Sequence, residues 1–240
     1  MRYLIRFSYD GSKFYGFQRL NNKPCVQREL EEALKSFTRE DVEIKGAGRT
    51  DRGVHAYDQC AHFDLIKEID EKKILFELNR KTSPYIQILT CEKVSDDFHA
   101  RFSVKEKMYV YKINIGEQSP FKADYYLHYK KELSLKKLKA VAKIFRGVHD
   151  FRNFVSGERN NYECIIYDII IKKEKDIISI YFKGKSFYRY MVRNLVGAML
   201  DFNEDKVTLE NIKKMLDKPE IPKQLRTVSS EGLYLLSIKY

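Results

Sequence analysis

The chain is organised around one segment, Gly46-Ala-Gly48-Arg49-Thr-Asp51-Arg52-Gly53-Val-His55-Ala56. Its three glycines lie within eight residues. Glycine adopts backbone conformations closed to other residues and lets another molecule approach the main chain, so the segment predicts a shaped turn that carries a single acid among arginines. Residues 42–45 before it and 56–65 after it have strand character, so we predict that the turn joins two strands.

Asp51 is the main candidate for chemistry in this turn. A carboxylate can act as a nucleophile or a general base, and a neighbouring guanidinium lowers its pKa and keeps it ionised. The alternative is an Asx-type turn residue that holds its own loop. A dinucleotide-binding or Walker A loop is disfavoured, because the third glycine of the first motif is missing and no helix pattern follows.

Hydrophobic periodicity predicts the order strand, helix, strand, strand, helix, strand in each half of the chain. Residues 2–9, for example, alternate as expected of a strand with one buried face. The order is the ferredoxin-like pattern, in which an antiparallel sheet carries its helices on one face. We expect an α+β fold with two ferredoxin-like halves, residues 1–104 and 105–240, joined into a mainly antiparallel central sheet.

Polar residues at the starts of apolar periodic runs predict three helix N-caps, Asp70, Ser134 and Thr208. A further helix is predicted from about Ser186 to Phe202. These helices follow the strands in the order that the ferredoxin-like pattern requires.

Charge points to a polyanionic partner. The 240 residues carry a formal net charge of +11, with a pI of about 9.3. Residues 1–104 contain 18 Lys plus Arg against 17 Asp plus Glu, and residues 105–240 contain 27 against 17. Clustered cations gain affinity for nucleic acid by releasing counterions from phosphates, so we expect the second half to bind RNA. The alternative is a generally basic protein.

The cysteines and the hydropathy pattern suggest a cytoplasmic protein. The four cysteines stand far apart without a C-x-x-C pair, which argues against a zinc knuckle and a dithiol redox site. No leader-like segment or apolar run long enough to span a bilayer is present in the sequence. Cys60 and His62 share a strand face but offer only two ligands, so we predict no metal site.

Four further side chains are candidates for an RNA site. Tyr109 and Tyr111 share one face of their strand, where an aromatic ring can stack on a base, although ordinary core packing is the alternative. Arg189 and Arg193 lie four apart on the predicted helix, and Arg193 falls within an apolar run. A partly buried guanidinium needs an acid, and we predict Asp51 as its partner, with a surface ion pair as the alternative.

The glycine segment resembles the signature of the tRNA pseudouridine synthase A family, and the resemblance extends through most of the chain. Blocks similar to those of the family follow in the family's order, at Tyr9–Gln18, Gln59–Phe63, Asp97–Ser103, Lys107–Tyr111, Gly147–Phe151, Phe187–Gly197 and Gly232–Leu235.

The resemblance implies a pseudouridine synthase fold and isomerisation of uridine to pseudouridine at positions 38 to 40 of the tRNA anticodon stem-loop. It also implies a homodimer that uses neither metal nor organic cofactor. By position, Asp51 matches the essential aspartate, Tyr109 the active-site tyrosine and Arg193 the arginine paired with the aspartate. The predicted substrate-binding residues are Arg49, which matches a base-extruding residue, and Arg52, His55 and Arg189.

Departures from the family pattern bear on the choice of substrate. Phe17 stands where tryptophan is common, Tyr190 stands where histidine is common, and Thr227 to Ser230 differ from a usual Ala-Pro segment. Two alternatives therefore stay open. One is a paralogue that modifies another RNA, such as ribosomal RNA, and the other is an RNA-binding module without catalysis.

Overall fold

The structure is a computed structural model that describes residues 1–217 and 225–240. In these parts of the chain it contains ten strands and five α-helices, besides short 3-10 turns. In chain order the elements are β1 (Arg2–Tyr9), α1 (Val26–Thr38), β2 (Lys45–Gly46), β3 (His55–Asp64), α2 (Glu71–Lys81), β4 (Ile86–Val94), β5 (Glu106–Asn114), β6 (Leu127–His128), α3 (Leu135–Phe145), β7 (Gly147–Asp150), β8 (Glu163–Glu174), β9 (Ile177–Gly184), α4 (Met191–Asn203), α5 (Leu209–Asp217) and β10 (Leu233–Lys239).

The chain divides into two compact units. Unit 1 consists of Met1–Lys105 and Tyr234–Tyr240, and unit 2 is Glu106–Leu233. Nearly all of β10 therefore belongs to unit 1 by its contacts, although chain order places this strand after the second half. None of the helices within 1–217 and 225–240 combines the length and the apolar character that a bilayer crossing needs.

Unit 1 has a mainly antiparallel sheet. β1 lies between β4 and β3 and is antiparallel to both, with Tyr3 opposite Phe63. The other edge of β3 is shared by β2, which runs antiparallel to it, and by β10, which runs parallel to it with Tyr234 opposite His55. The order β4-β1-β3-β2 is that of a ferredoxin-like sheet. It confirms the predicted α+β class for this unit.

The core of unit 1 lies between the sheet and its helices. Tyr3, Ile5 and Phe7 on β1 are completely buried, as the alternation of residues 2–9 predicts. Leu30 and Leu34 of α1 are buried at one helical turn's spacing. Alternation along the strand and i, i+4 spacing along the helix thus direct apolar side chains into a shared interior.

Unit 2 also has an antiparallel sheet, in the order β5-β9-β8-β7. Tyr109 of β5 lies opposite Phe182 of β9, and Ile180 of β9 lies opposite Ile171 of β8. The short strand β6 extends the other edge of β5 in the parallel direction. The two-residue strand β6 and the strand β7 were not predicted, because segments so short carry almost no periodicity.

The three predicted N-caps are confirmed. Asp70 accepts hydrogen bonds from the backbone N–H groups of the second and third residues of α2, at 3.0 and 3.1 Å. Ser134 and Thr208 each accept one bond from the first turn of their helices, at 3.3 and 3.1 Å. Each cap satisfies N–H groups that have no partner inside the helix.

The predicted start of α4 was wrong. The helix begins at Met191, not near Ser186, because Tyr190 has φ +63° and a left-handed backbone that a right-handed helix cannot include. Arg189 consequently lies before the helix. It does not share a helical face with Arg193, as the predicted spacing of four had required.

β2 is also shorter than predicted. It covers only Lys45–Gly46, whereas strand character was expected from Val42. The reason lies in the backbone N–H of Ile44, which donates to the Glu31 carboxylate of α1 at 3.0 Å and not to a neighbouring strand. A side chain distant in sequence therefore satisfies the main chain where a sheet bond was expected.

His62 on β3 holds the segment before residue 105 against the sheet. It is only 1% exposed, and its Nδ1 accepts the backbone N–H of Ala100 at 3.1 Å. The ring is neutral and carries its proton on Nε2. Burial, helped by the nearby His99, lowers the pKa of His62 to about 4.

We predict that the protein loses stability when the pH falls from about 6.5 towards 4. Unfolded chains protonate this histidine near pH 6.5, whereas the folded chain resists protonation down to about 4, so up to about 3 kcal/mol is lost across that window. His62→Asn keeps an acceptor for Ala100 and removes the titration. Its free energy of unfolding in urea should vary less between about pH 7 and about pH 4.5. An unchanged pH dependence in this variant would contradict the prediction.

Candidate active site

The loop between β2 and β3, which carries Asp51, is anchored to the sheet at its start. The backbone N–H of Ala47 donates to the Cys60 carbonyl at 2.7 Å. The side-chain amide of Gln59 donates to the Gly48 carbonyl at 3.1 Å. Both partners lie on β3, so the loop turns back onto the strand that follows it.

Thr50, the residue immediately before Asp51, is anchored to Phe17 and to Tyr9. Thr50 is buried, and its carbonyl accepts the Phe17 N–H at 3.1 Å. Its hydroxyl forms a hydrogen bond of 2.7 Å with the Tyr9 hydroxyl. Burial raises the pKa of Tyr9 to about 12, so the phenol stays neutral. Backbone and side chain of Thr50 are therefore both fixed.

A tight turn follows Asp51. The Val54 N–H donates to the Asp51 carbonyl at 3.2 Å, and Gly53 has φ +78°. Such a turn with positive φ at its third residue is adopted most easily by glycine. Asp51 itself is half-buried, whereas its neighbours Arg49 and Arg52 are exposed. The glycine segment thus holds one acid in a fixed turn with cations on either side, as the sequence predicts.

The two exposed arginines have different surroundings. The Arg52 guanidinium lies 4.4 Å from the ring centre of Tyr15, so a cation–π contact orients it. Arg49 precedes Asp51 in the chain and is exposed to solvent. Both positions are compatible with the predicted contact to substrate.

His55 is buried at the start of β3. Only 3% of it is exposed, and its ring stacks on Tyr234 with centroids 4.5 Å apart. Its Nδ1 accepts the Gly11 N–H at 3.1 Å, and an oxygen of the Asp10 carboxylate lies 3.2 Å from the same atom. The contacts of His55 hold the first turn of the chain to β3. Its predicted role in substrate binding remains a prediction.

In unit 2 the two candidate tyrosines of β5 have different environments. Tyr109 is nearly buried and meets Phe187 edge to face, with centroids 5.2 Å apart. Tyr111 is completely buried, its hydroxyl donates to the Ser229 carbonyl at 2.8 Å, and burial raises its pKa. Tyr111 is thus core, while Tyr109 keeps its predicted place as an active-site candidate.

One tyrosine ring lies against both candidate arginines of unit 2. The guanidinium carbons of Arg189 and Arg193 are 5.0 and 4.7 Å from the ring centre of Tyr190. The Nε of Arg193 also donates to the Val228 carbonyl at 2.7 Å, which fixes the plane of the guanidinium. The left-handed Tyr190 between them allows both side chains to reach one ring, although they do not share a helical turn.

Asn194 is a supporting residue that the sequence analysis missed. It is completely buried, its amide donates to the Phe154 carbonyl at 2.8 Å, and its Oδ1 accepts the Thr227 hydroxyl at 2.6 Å. These bonds tie the first turn of α4, and with it Arg193, to two other segments. The sequence does contain a signal for this role, an asparagine within an apolar helical run. A buried amide requires hydrogen-bond partners, so such an asparagine predicts contacts with other segments.

The predicted site residues fall into two groups. Arg49, Asp51, Arg52 and His55 lie together in unit 1, while Tyr109, Arg189 and Arg193 belong to unit 2. The ion pair between Asp51 and Arg193 remains a prediction. Among the described residues, no group of three or more His, Cys, Asp or Glu side chains is arranged to hold a metal ion.

We predict that Gly16→Ala destabilises the protein more than Gly147→Ala does. Both glycines have a left-handed backbone, with φ +104° and +107°, so both variants lose about 1 kcal/mol to strain. At Gly16 the new Cβ would lie 2.7 Å from the Thr50 carbonyl oxygen, whereas at Gly147 the nearest atom is 3.5 Å away. Overlap adds about 1–3 kcal/mol to the loss at Gly16 alone.

Urea unfolding of the two variants checks this prediction. Equal losses of unfolding free energy would show that the loop shifts freely and that Gly16 does not fix the position of Asp51.

A family model described as tRNA pseudouridine synthase matches residues 5–103 and 141–240. The matched residues include Asp51 and Arg193, whereas Tyr109 lies between the two matched ranges. The match therefore covers most of both units, including the glycine segment.

Proteins named tRNA pseudouridine synthase A are similar to this chain over its whole length. The protein from Finegoldia magna is 39% identical over 239 residues, which cover 98% of each chain. The one from Streptococcus uberis is 36% identical, with 100% of this chain and 98% of the relative covered. The one from Malacoplasma penetrans is 38% identical, with 100% of both covered. On this evidence, the chain belongs to the tRNA pseudouridine synthase family.

Proposed function

We propose that this protein isomerises uridine to pseudouridine in tRNA, at positions 38 to 40 of the anticodon stem-loop. The supporting observation is the single acid of an anchored glycine loop, Asp51, in a chain whose full-length relatives are named tRNA pseudouridine synthase A. The positions follow from the family resemblance of the sequence blocks. No metal or organic cofactor is part of the proposal.

The reaction exchanges one glycosidic bond for another. The bond between N1 of uracil and C1′ of ribose breaks, the base rotates, and a bond forms between C5 and C1′. The C5 proton leaves and N1 gains a proton, so no oxidant or reductant is needed. The enzyme must supply a carboxylate beside the ribose, a pocket for the detached base and an acceptor for the C5 proton.

Asp51 supplies the carboxylate. It either attacks C1′ or abstracts the proton on C2′, and both routes require an ionised acid held in place. The bonds of Thr50 and the turn closed at Val54 support such preorganisation, because they restrict the backbone on both sides of Asp51. A fixed position limits the entropy that the enzyme must lose on reaching the transition state.

Tyr109 and Arg193 act around that carboxylate in the proposal. Tyr109 stacks on the uracil and relays or accepts the C5 proton, while Arg193 keeps Asp51 ionised. The edge-to-face contact of Tyr109 with Phe187 supports a defined ring orientation, and the bond from Arg193 to Val228 supports a defined guanidinium plane.

Arg49, Arg52, His55 and Arg189 bind the RNA in this proposal. The base must leave its stack at a cost of a few kcal/mol, and the exposed Arg49 fills the gap that it leaves. Arg52 and Arg189 place positive charge near the backbone phosphates. His55 acts mainly through the buried contacts that shape the start of β3.

We also propose a homodimer in the cytoplasm. The family resemblance supports the dimer. The tRNA substrate supports the cytoplasm as the compartment, and so do the four free cysteines, because thiols stay reduced there. Sedimentation equilibrium tests the dimer directly.

We predict that Asp51→Asn abolishes catalysis and leaves RNA affinity within a few-fold. The change removes the reactive charge and almost no volume, so tritium release from tRNA labelled at uridine C5 should fall about a thousandfold or more. Asp41→Asn is the matched control, because Asp41 is an exposed acid of the same unit with an 86% exposed side chain. Turnover retained by Asp51→Asn would disprove the role of Asp51.

The substrate positions are tested by mapping pseudouridine in all tRNA and ribosomal RNA of cells with and without the gene. We expect losses only at positions 38 to 40 of tRNA, and no recovery when the gene carries Asp51→Asn. Losses in ribosomal RNA would assign another substrate, and no loss in any RNA would favour a binding module without catalysis.

A further inference from the structure

Unit 2 presents a second cluster of arginine and tyrosine side chains apart from the residues discussed above. The guanidinium carbon of Arg159 lies 4.1 Å from the ring centre of Tyr188 and 5.9 Å from that of Tyr162. The Arg152 guanidinium lies 4.8 Å from the same Tyr162 ring. We refer to Arg152, Tyr162, Arg159 and Tyr188 as the Arg159 cluster. Two cations are thus held on aromatic faces.

The Arg159 guanidinium has no hydrogen-bond acceptor among the described residues. Its Nε is buried and has no hydrogen-bond partner among the described residues. The two Nη groups also donate to no described residue, but unlike Nε they are not buried, so they reach solvent. Arg159 forms no ion pair within the described chain, whereas Arg152 contacts Asp150 at 3.5 Å. A guanidinium held on an aromatic ring with solvent-accessible donors is available to an anionic acceptor from another molecule.

Backbone bonds hold the loop that carries Arg159. The Phe151 N–H donates to the Tyr162 carbonyl at 3.1 Å and closes the loop at its neck. The Ser156 N–H donates to the Arg189 carbonyl at 3.0 Å, and the Arg159 N–H donates to the Tyr162 hydroxyl at 3.1 Å. The loop therefore has a defined shape next to Arg189, one of the predicted RNA contacts.

The stacking geometry favours phosphate as the acceptor. A guanidinium that lies on an aromatic face directs its N–H groups along its own plane, where two oxygens of one phosphate can accept them. The formal excess of cations in residues 105–240, 27 against 17 acids, favours a polyanion over a single anionic side chain. The exposed acids Glu158 and Glu163 oppose any anion, so the stacked guanidinium must supply the specific contact.

We propose that Arg159 binds a backbone phosphate of tRNA through its two Nη groups, with Arg152 as a neighbouring contact. Tyr188 fixes the plane of the Arg159 guanidinium, and Tyr162 fixes its loop. This inference rests on the proposed function, since it names the RNA contact that would orient the same substrate. The phosphate contact supplies affinity and register, not base recognition.

Binding of tRNA to three variants over a range of salt concentrations tests the proposal. Arg159→Ala should weaken affinity about tenfold. It should also reduce the slope of log affinity against log salt by about one. Arg159→Lys should keep the slope, because the charge remains, and weaken affinity less than Arg159→Ala does. Arg80→Ala is the matched control, since Arg80 is exposed and paired with Glu77 in unit 1.

Tritium release separates this inference from the proposed function. Arg159→Ala should raise KM and keep kcat within about twofold, because a phosphate contact does not touch the reacting atoms. An Arg159→Ala protein with wild-type affinity and salt slope would overturn the inference, even if catalysis is normal. Wild-type protein without tritium release would overturn the proposed function. The dependence of RNA affinity on salt would still test whether Arg159 contacts a phosphate.

Circular dichroism and urea unfolding of Arg159→Ala and Arg159→Lys exclude misfolding as the cause of weak binding. Both variants should remain folded and lose at most about 2 kcal/mol of unfolding free energy, because the Arg159 guanidinium packs on tyrosine rings but donates no hydrogen bond to a described residue. If Arg159→Lys lowers the slope as much as Arg159→Ala, a phosphate contact is wrong and a loop rearrangement explains the loss.

Discussion

The close approach of the Gly16 backbone to the Thr50 carbonyl is the constraint on which the position of Asp51 depends. A Cβ at Gly16 would lie 2.7 Å from that oxygen, well inside van der Waals contact. The absence of a side chain lets the Phe17 N–H reach the same carbonyl, while the Tyr9 hydroxyl holds the Thr50 side chain. Asp51 is the next residue, so its backbone has little freedom left. The buried core of β1 thereby determines the position of Asp51, the proposed catalytic acid.

The Arg159 guanidinium of unit 2 is oriented mainly by a tyrosine ring. Its guanidinium carbon lies 4.1 Å from the ring centre of Tyr188. A ring fixes the plane of the guanidinium for about 0.5–2 kcal/mol and leaves its positive charge intact. A carboxylate partner would orient the group equally well but would cancel that charge. Aromatic support therefore suits a surface that must attract phosphates.

The sequence predicts those parts of the fold that depend on local patterns. The buried face of β1 and the caps Asp70, Ser134 and Thr208 follow from alternation and from the chemistry of helix ends. The early start given to α4 shows the limit of this approach, because apolar spacing continues through Tyr190, whose left-handed backbone leaves no trace in the sequence.

The candidate site was predictable to the extent that its residues are neighbours in the chain. Three glycines within eight residues disclose the turn around Asp51. The support of Asn194 by Thr227 joins residues far apart in sequence, as does the stacking of Arg159 on Tyr188, so periodicity and composition cannot reveal them. The hydrogen bond from the Ile44 N–H to the Glu31 carboxylate, which stands in place of an expected sheet bond, could not be predicted for the same reason.

The place of β10 in unit 1 has a consequence for synthesis on the ribosome. β3 shares its outer edge with β2 and β10, and the Lys105 N–H donates to the Lys239 carbonyl at 2.9 Å. Glu106–Leu233 is translated after β3 and before β10. Its synthesis takes on the order of ten seconds, and β10 cannot pair with the edge of β3 during that time. During this interval the nascent chain exposes an open strand edge, the kind of surface that recruits chaperones or neighbouring chains. The glycine loop that carries Asp51 leads directly into that strand.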